Sequence, residues 1–321
     1  MKSLYKFIIV LVLAASFLAG CGTEDDSSKT PEDVLTVYTT IYPLEDFTKK
    51  IGGEFVEVKS IFPPGVDAHT YEPTAKMMVD IAKADALIYT GIGLEGFMNA
   101  ASDTLKKENV KIIKVADGLE GFEETEGHHE EDEHEEHSDH DEGEHNHGDE
   151  DPHIWLDPLI AIEMADTVYH ELVTLKPEGE EVFKQNFTKL KSELEKLDQE
   201  FIEAVQNSSK KEILVSHAAY GYWEKRYGIE QISISGLSPT NEPTQKDLKK
   251  VIDTAKEHDI KYVIVEQNVS SKMTDSVKKE LQAETLVLRN LESISYEDSE
   301  SNEDYFSLMR KNIKTLKTAL N

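Results

Sequence analysis

The chain reads as an α/β protein of two (β/α)4 lobes with parallel sheets, joined by a long rigid helix. Three observations predict this. Short β-branched runs alternate with stretches of helical periodicity, the pattern of βα units and parallel sheets. Four such runs precede a helical middle and four follow it, so the second half repeats the first in kind. Between them, one apolar stripe runs along a helical period without an internal breaker.

Taken in order, strands are expected near Leu35 to Thr39, Val56 to Ile61, Ala86 to Thr90 and Lys111 to Val115, then Ile213 to Ser216, Gln231 to Ser235, Lys261 to Val265 and Thr285 to Leu288. Helices are expected around Leu44 to Ile51, Ala75 to Ala84, Glu95 to Lys107, Gly221 to Tyr227, Lys246 to His258, Lys272 to Leu281 and Asp304 to Leu320. From Pro177 to Gln206 no Gly or Pro follows Gly179, and Phe183, Phe187, Leu190, Leu194, Leu197, Phe201 and Val205 fall on one face. Such a stripe shows a helix packed on two cores; its functional reading is a stiff strut limiting hinge motion. A further helix is expected from Asp157 to Thr174, with Asp157 as N-cap and Pro158 at the first helical position.

Cys21 is the only cysteine. It ends Leu18-Ala19-Gly20-Cys21, directly after an apolar stretch from Phe7 to Phe17 that Lys2 and Lys6 precede. That is a lipoprotein export signal, too short for a spanning helix of roughly 20 residues. The small residues 19 and 20 open the bond to a peptidase, and the thiol takes a lipid. Acyl chains on one cysteine then anchor the mature chain to the extracytoplasmic face of the cell membrane. An ordinary cleaved signal with a stray cysteine would need a coincidence of position. Once Cys21 is acylated the folded part has no thiol, hence no disulfide, cysteine nucleophile or thiolate metal site. Any metal must be held by His and carboxylate. The expected organisation is a signal peptide over 1–20, a flexible tether over 21–32 with a reach of roughly 17–20 Å, a first lobe over 33–156, a helical region over 157–209 and a second lobe over 210–321.

The net charge is −30, and residues 123–151 carry more than half of it, with sixteen Asp or Glu and no Lys or Arg. No basic face is left to attract nucleic acid, which is excluded as a partner. The acidic segment cannot bury a core and is expected to be a disordered loop. Its His128, His129, His134, His137, His140, His145 and His147 can bind divalent ions weakly and with rapid exchange; the plain alternative is a solvated acidic insertion. His134-Glu135-Glu136-His137 is one residue too short for a His-Glu-x-x-His protease motif.

Of the remaining histidines, His170 and His258 lie on expected helices, whereas His69, His153 and His217 lie at element ends. Open α/β sheets bind ligands beyond the carboxyl ends of their strands. His69 follows the second strand through Phe62-Pro63-Pro64-Gly65-Val66-Asp67-Ala68, and His217 closely follows Ile213-Leu214-Val215, so both belong at the cleft between the lobes. His153 precedes the helix cap at Asp157, with Trp155 placed to shield it. Any one of these alone is best read as a satisfied hydrogen-bonding histidine. Together with one oxygen they could form a tetrahedral zinc set in the inter-lobe cleft, with metal to nitrogen distances of about 2.0–2.1 Å, though the pattern alone leaves the hydrogen-bonding reading open.

With the signal at Cys21, the two-lobed pattern, and the segments Pro63 to Thr74, Asp151 to Pro158 and Val215 to Tyr222, the mature chain resembles the zinc-binding lipoproteins of bacterial ABC importers, the cluster 9 (A-I) solute-binding family. The resemblance implies that His69, His153 and His217 are direct ligands. Manganese-binding relatives usually carry a carboxylate at the third position, so His217 favours zinc, in line with imidazole suiting that metal. The fourth ligand in some zinc-binding relatives is a Glu on the loop after the last strand, matched here by Glu292. Glu266 is a competing carboxylate, and some relatives use water. Members with an acid beside the first histidine differ from this chain, which has Ala68 there. Many zinc-type relatives carry a His-rich loop, which supports accessory zinc binding by residues 123–151.

The function expected is that of a monomeric, lipid-anchored receptor that captures Zn2+ for an ABC permease, with no catalytic residue. No phosphate-binding loop is present in the sequence, so the cytoplasmic ATPase is a separate polypeptide. Two rivals stand beside it: a surface zinc hydrolase, which needs an open coordination position and a base, and a metal-buffering adhesin working through the His-rich loop. Imidazole must be neutral to ligate, so zinc affinity is expected to fall steeply below about pH 6, from the unperturbed histidine pKa near 6.5. Calorimetric titration checks this, and affinity unchanged down to about pH 4 excludes a three-histidine site.

Overall fold

The computed structural model describes residues 34–119, 150–241, 243–267 and 271–321. The expected signal peptide, the tether with Cys21, and the histidines from His128 to His147 lie outside them. Two parallel sheets of four strands are present. The first contains β1 (Leu35–Thr39), β2 (Val56–Ser60), β3 (Ala86–Tyr89) and β4 (Lys111–Lys114) in the order β2-β1-β3-β4. The second contains β5 (Glu212–His217), β6 (Glu230–Ser235), β7 (Tyr262–Glu266) and β8 (Glu284–Leu288) in the equivalent order β6-β5-β7-β8. Strand order therefore reverses between β1 and β3 and again between β5 and β7, the places where α/β sheets open a crevice.

The helices among the described residues are α1 (Tyr42–Gly52), α2 (Ala75–Ile81), α3 (Met98–Leu105), α4 (Pro158–Leu175), α5 (Glu180–Gln206), α6 (Gly221–Tyr227), α7 (Gln245–Glu257), α8 (Lys272–Leu281), α9 (Tyr296–Glu300) and α10 (Tyr305–Ala319). Asp157 caps α4 as expected, accepting from the amides of Leu159 at 2.9 Å and Ile160 at 3.4 Å. Two helices are shorter than the periodicity suggests. Residue 95 does not start α3, because the Glu95 carboxylate is buried and accepts from the Thr40 hydroxyl at 2.7 Å and the Thr90 amide at 2.9 Å. The second, α2, ends at Ile81. The five-residue α9, capped by Ser295, was not expected.

Helix α5 starts after a single 3-10 turn at Pro177–Gly179 and buries Phe183, Leu190, Leu194, Leu197, Phe201 and Val205. Phe187 is half-buried and stacks on Tyr169 of α4, with ring centroids 5.2 Å apart. The helix packs against α1 and α4 on one side and α6 and α10 on the other, bridging the helical layers of both sheets. The main core is continuous through these contacts, from Val37 and Ile88 of the first sheet to Ile213, Val215 and Leu288 of the second. A smaller cluster lies beyond the second sheet, where Leu214 and Val263 meet Ala255 of α7 and Val277 of α8. Ile213, Leu214 and Val215 alternate between the two clusters, as the two-residue period of a strand requires.

Phe201 sits where α5 meets α6, fully buried, stacked on Tyr227 at 5.2 Å and 5.1 Å from Trp223. Phe201→Ala is expected to cost about 3–5 kcal/mol. Urea unfolding of the ion-free chain checks this through a lowered midpoint at unchanged slope.

Candidate metal centre

Four sequence-predicted residues converge, one from each of four segments. His69 lies on the loop after β2, behind an Asp67 carboxylate that accepts its main-chain amide at 2.9 Å. His153 stands immediately before the 3-10 turn Ile154–Leu156 that leads into α4. His217 is the last residue of β5, at the reversal point of the second sheet. Glu292 lies on the loop after β8. His153 and His217 are fully buried and Glu292 almost so.

Each of the four offers one donor atom, and these atoms all lie within 4.8 Å of one another. The Oε1 oxygen of Glu292 is 3.2 Å from Nε2 of His153, 3.4 Å from Nε2 of His69 and 3.7 Å from Nε2 of His217. The Nε2 atoms of His153 and His217 are 3.3 Å apart. A tetrahedron with arms of about 2.0–2.1 Å has edges of about 3.3–3.4 Å, so these spacings suit an ion at zinc distances. Nε2 of His69 is buried and makes no hydrogen bond, an orphaned lone pair of the kind a cation would satisfy.

The far sides of the rings are also arranged. Nδ1 of His153 meets Oδ1 of Asp151 at 2.8 Å, and the same oxygen accepts the His153 amide at 3.0 Å. Nδ1 of His217 bonds to Glu266, which also accepts from the Ser216 hydroxyl at 3.0 Å. With Nδ1–H donating to a carboxylate, Nε2 keeps its lone pair aimed into the centre. The two candidate carboxylates are thereby distinguished by place: Glu292 faces the Nε2 atoms, and Glu266 stands behind His217. Trp155 is fully buried with its ring 5.4 Å from that of His153. His170 and His258 lie apart from the cluster, beside Asp166 and Glu212 respectively.

Asp151 departs from expectation. The sequence groups it with the solvated acidic segment, but the structure ties it to His153. Its position two residues before that histidine was the available signal. Asn290 also escaped notice and bonds to both Glu266 and Glu292.

Charge balances unevenly in the ion-free centre. Burial opposes a charge on His153, but hydrogen bonds to Asp151 and Glu292 outweigh it and push the pKa up to about 9. Burial likewise opposes ionisation of Glu292, yet the hydrogen bond with His153 and the nearby imidazole of His69 hold its carboxyl well below the usual range. A proton on His153 thus stands where positive charge is wanted.

The chain matches the family described as "ZnuA: Zinc-uptake complex component A periplasmic" over residues 37–319. It belongs to that family. Among relatives of the ZnuA family, the zinc-binding lipoprotein AdcA of Streptococcus pneumoniae is 34% identical over 319 residues, covering 97% of this chain and 60% of that protein. The chain therefore spans 60% of the length of that relative. The high-affinity zinc uptake system protein ZnuA of Bacillus subtilis is 34% identical, with 98% of each chain covered. The solved Zn(II)-bound ZnuA-like domain of Streptococcus pneumoniae AdcA has a TM-score of 0.72 at 32% identity, covering 89% of this chain and 99% of that one. Among the described residues no helix is long and apolar enough to cross a membrane.

An ion entering this centre must displace the proton on His153, so one proton is expected to leave per ion between about pH 7 and 9, with apparent affinity rising about tenfold per pH unit over that range. This shallow slope lies above the steeper fall expected below about pH 6. Calorimetry in buffers of different ionisation enthalpy counts the proton. Asp151→Asn is expected to weaken zinc binding about 10–100-fold and to lower that count, as competition with a chromophoric chelator and the same calorimetry would record.

Proposed function

We propose that the protein is an extracytoplasmic receptor that captures Zn2+ between His69, His153, His217 and Glu292 and delivers it to an ABC-type permease driven by a separate cytoplasmic ATPase. The observation that carries this reading is the convergence of three Nε2 atoms to within 3.2–3.7 Å of one carboxylate oxygen, close to the edge length of a zinc tetrahedron. Membership of a zinc-uptake family supports it. The relatives named for zinc binding and zinc uptake support the identity of the cargo.

The four donors also weigh against the hydrolase. Catalytic zinc keeps a position open for water, and Glu292 occupies the fourth corner. Its carboxylate is too deeply embedded among imidazoles and Asn290 to serve as a free base. The receptor role needs no chemical step. Anchoring through lipid on Cys21 keeps the receptor beside its permease, and the seven histidines from His128 to His147 gather zinc weakly.

His217→Ala is expected to weaken zinc binding by more than the roughly 10–100-fold typical of an outer partner, while His258→Ala leaves it unchanged. Equal effects in calorimetric titration would reject the ligand assignment. Removing residues 123–149, which spares Asp151, is expected to abolish the weak sites and leave one tight site. If all zinc binding vanished with the segment, the protein would be a surface metal buffer.

A further inference from the structure

Asn290 occupies the turn between β8 and Glu292, and its side-chain amide and its carbonyl are all engaged. Its Oδ1 accepts the main-chain amide of Glu292 at 3.2 Å. Its Nδ2 donates to Oε1 of Glu292 at 2.9 Å and to Oε2 of Glu266 at 3.0 Å. Its carbonyl accepts from Nε1 of Trp155 at 2.6 Å. The amide orientation follows from its partners, since a flipped group would set its oxygen against two carboxylates and its NH2 against an N–H. Leu291, between Asn290 and Glu292, is buried and holds φ at +64°, a left-handed conformation that a branched side chain adopts only where its surroundings enforce it.

These bonds reach the supports of three of the four candidate ligands. Glu292 is held directly. His217 is held through Glu266, whose other oxygen takes its Nδ1. The turn that carries His153 is held through Trp155. All three imidazoles face the same oxygen of Glu292, and that oxygen is also the one bound to Asn290. Swinging the carboxylate to share both oxygens with an ion would move Oε1 off the Asn290 amide. Single-oxygen ligation with three imidazoles makes four donors, which suits zinc, whereas manganese favours oxygen-rich octahedral sets.

Resting on the zinc-site reading above, we propose that Asn290 is a positioning residue that restricts Glu292 to one ligating oxygen and thereby sets a four-coordinate centre that selects zinc over manganese. Asn290→Asp would keep the shape, remove the donors and set a further carboxylate beside Glu266 and Glu292; Asn290→Ala would remove the bonds without adding charge.

The test compares the full chain with Asn290→Asp and Asn290→Ala, using zinc and manganese in competition titrations and cobalt(II) as a spectroscopic stand-in for zinc. Four-coordinate cobalt absorbs strongly in the visible, and added ligands weaken those bands. The variants are expected to bind zinc about 10–100-fold more weakly, to narrow the zinc to manganese affinity ratio, and to lose cobalt intensity. Should Asn290→Asp prevent folding, Asn290→Ala carries the same comparison. An unchanged cobalt spectrum with an unchanged affinity ratio would overturn the proposal even if zinc affinity fell, because that is general loosening. A wild-type chain with neither tight zinc nor four-coordinate cobalt would instead remove the zinc-site reading on which the proposal stands.

Discussion

A carboxylate buried beside three imidazoles governs the arrangement of the centre. Glu292 is 3% exposed, and a charge taken so far from water must be met by donors or opposite charge. The protein meets it with the Asn290 amide and, in the ion-free state, with a proton on His153. Asp151 and Glu266 behind the rings extend the same logic, since each accepts from an Nδ1 and leaves an Nε2 directed inward. The result is a centre whose buried carboxylates favour positive charge among the imidazoles.

The fold makes this possible by bringing loop ends, rather than one element, to a common point. Duplicated sheet topology puts a crevice at β5 and β7, where His217 and Glu266 end their strands. His69 arrives from the first sheet and His153 from the turn into α4. Helix α5 packs on helices of both sheets, and Tyr305 of α10 donates to the carbonyl of Trp155 at 2.7 Å, so the His153 turn is braced from the C-terminal helix. Trp223 adds a second brace, its Nε1 donating to the Leu156 carbonyl at 2.7 Å.

All eight strands were legible in the sequence because strands of a parallel sheet covered on both faces read as β-branched runs. Helix ends were less legible where a side chain has a tertiary partner: Glu95 has good helix propensity, but its bonds to Thr40 and Thr90 keep it in the loop. The three histidines stood out because element ends can be read from local pattern. The choice between the two candidate carboxylates was not legible that way, since Glu266 ends one strand of the second sheet and Glu292 follows another, and the nitrogen each faces is a tertiary feature. Asn290 and Asp151 were missed for related reasons. The significance of Asn290 rests on Trp155, 135 positions earlier in the chain, and Asp151 closes an acidic run that masks its individual role.

The Glu292 loop does more than supply a donor. Its carbonyl accepts the amide of Tyr42 at 3.2 Å, the next hydroxyl, Ser293, donates to the Val66 carbonyl at 2.6 Å, and the Ile294 carbonyl accepts the amide of Gly65 at 2.9 Å. Tyr42, Gly65 and Val66 all belong to the half of the chain that carries the first sheet, Gly65 and Val66 on the loop of His69 itself. Latch and candidate ligand are therefore one segment. Any movement that parts the two halves at this seam breaks these three hydrogen bonds and draws Glu292 away from His69 in the same stroke, so opening the seam and taking the candidate centre apart are one event.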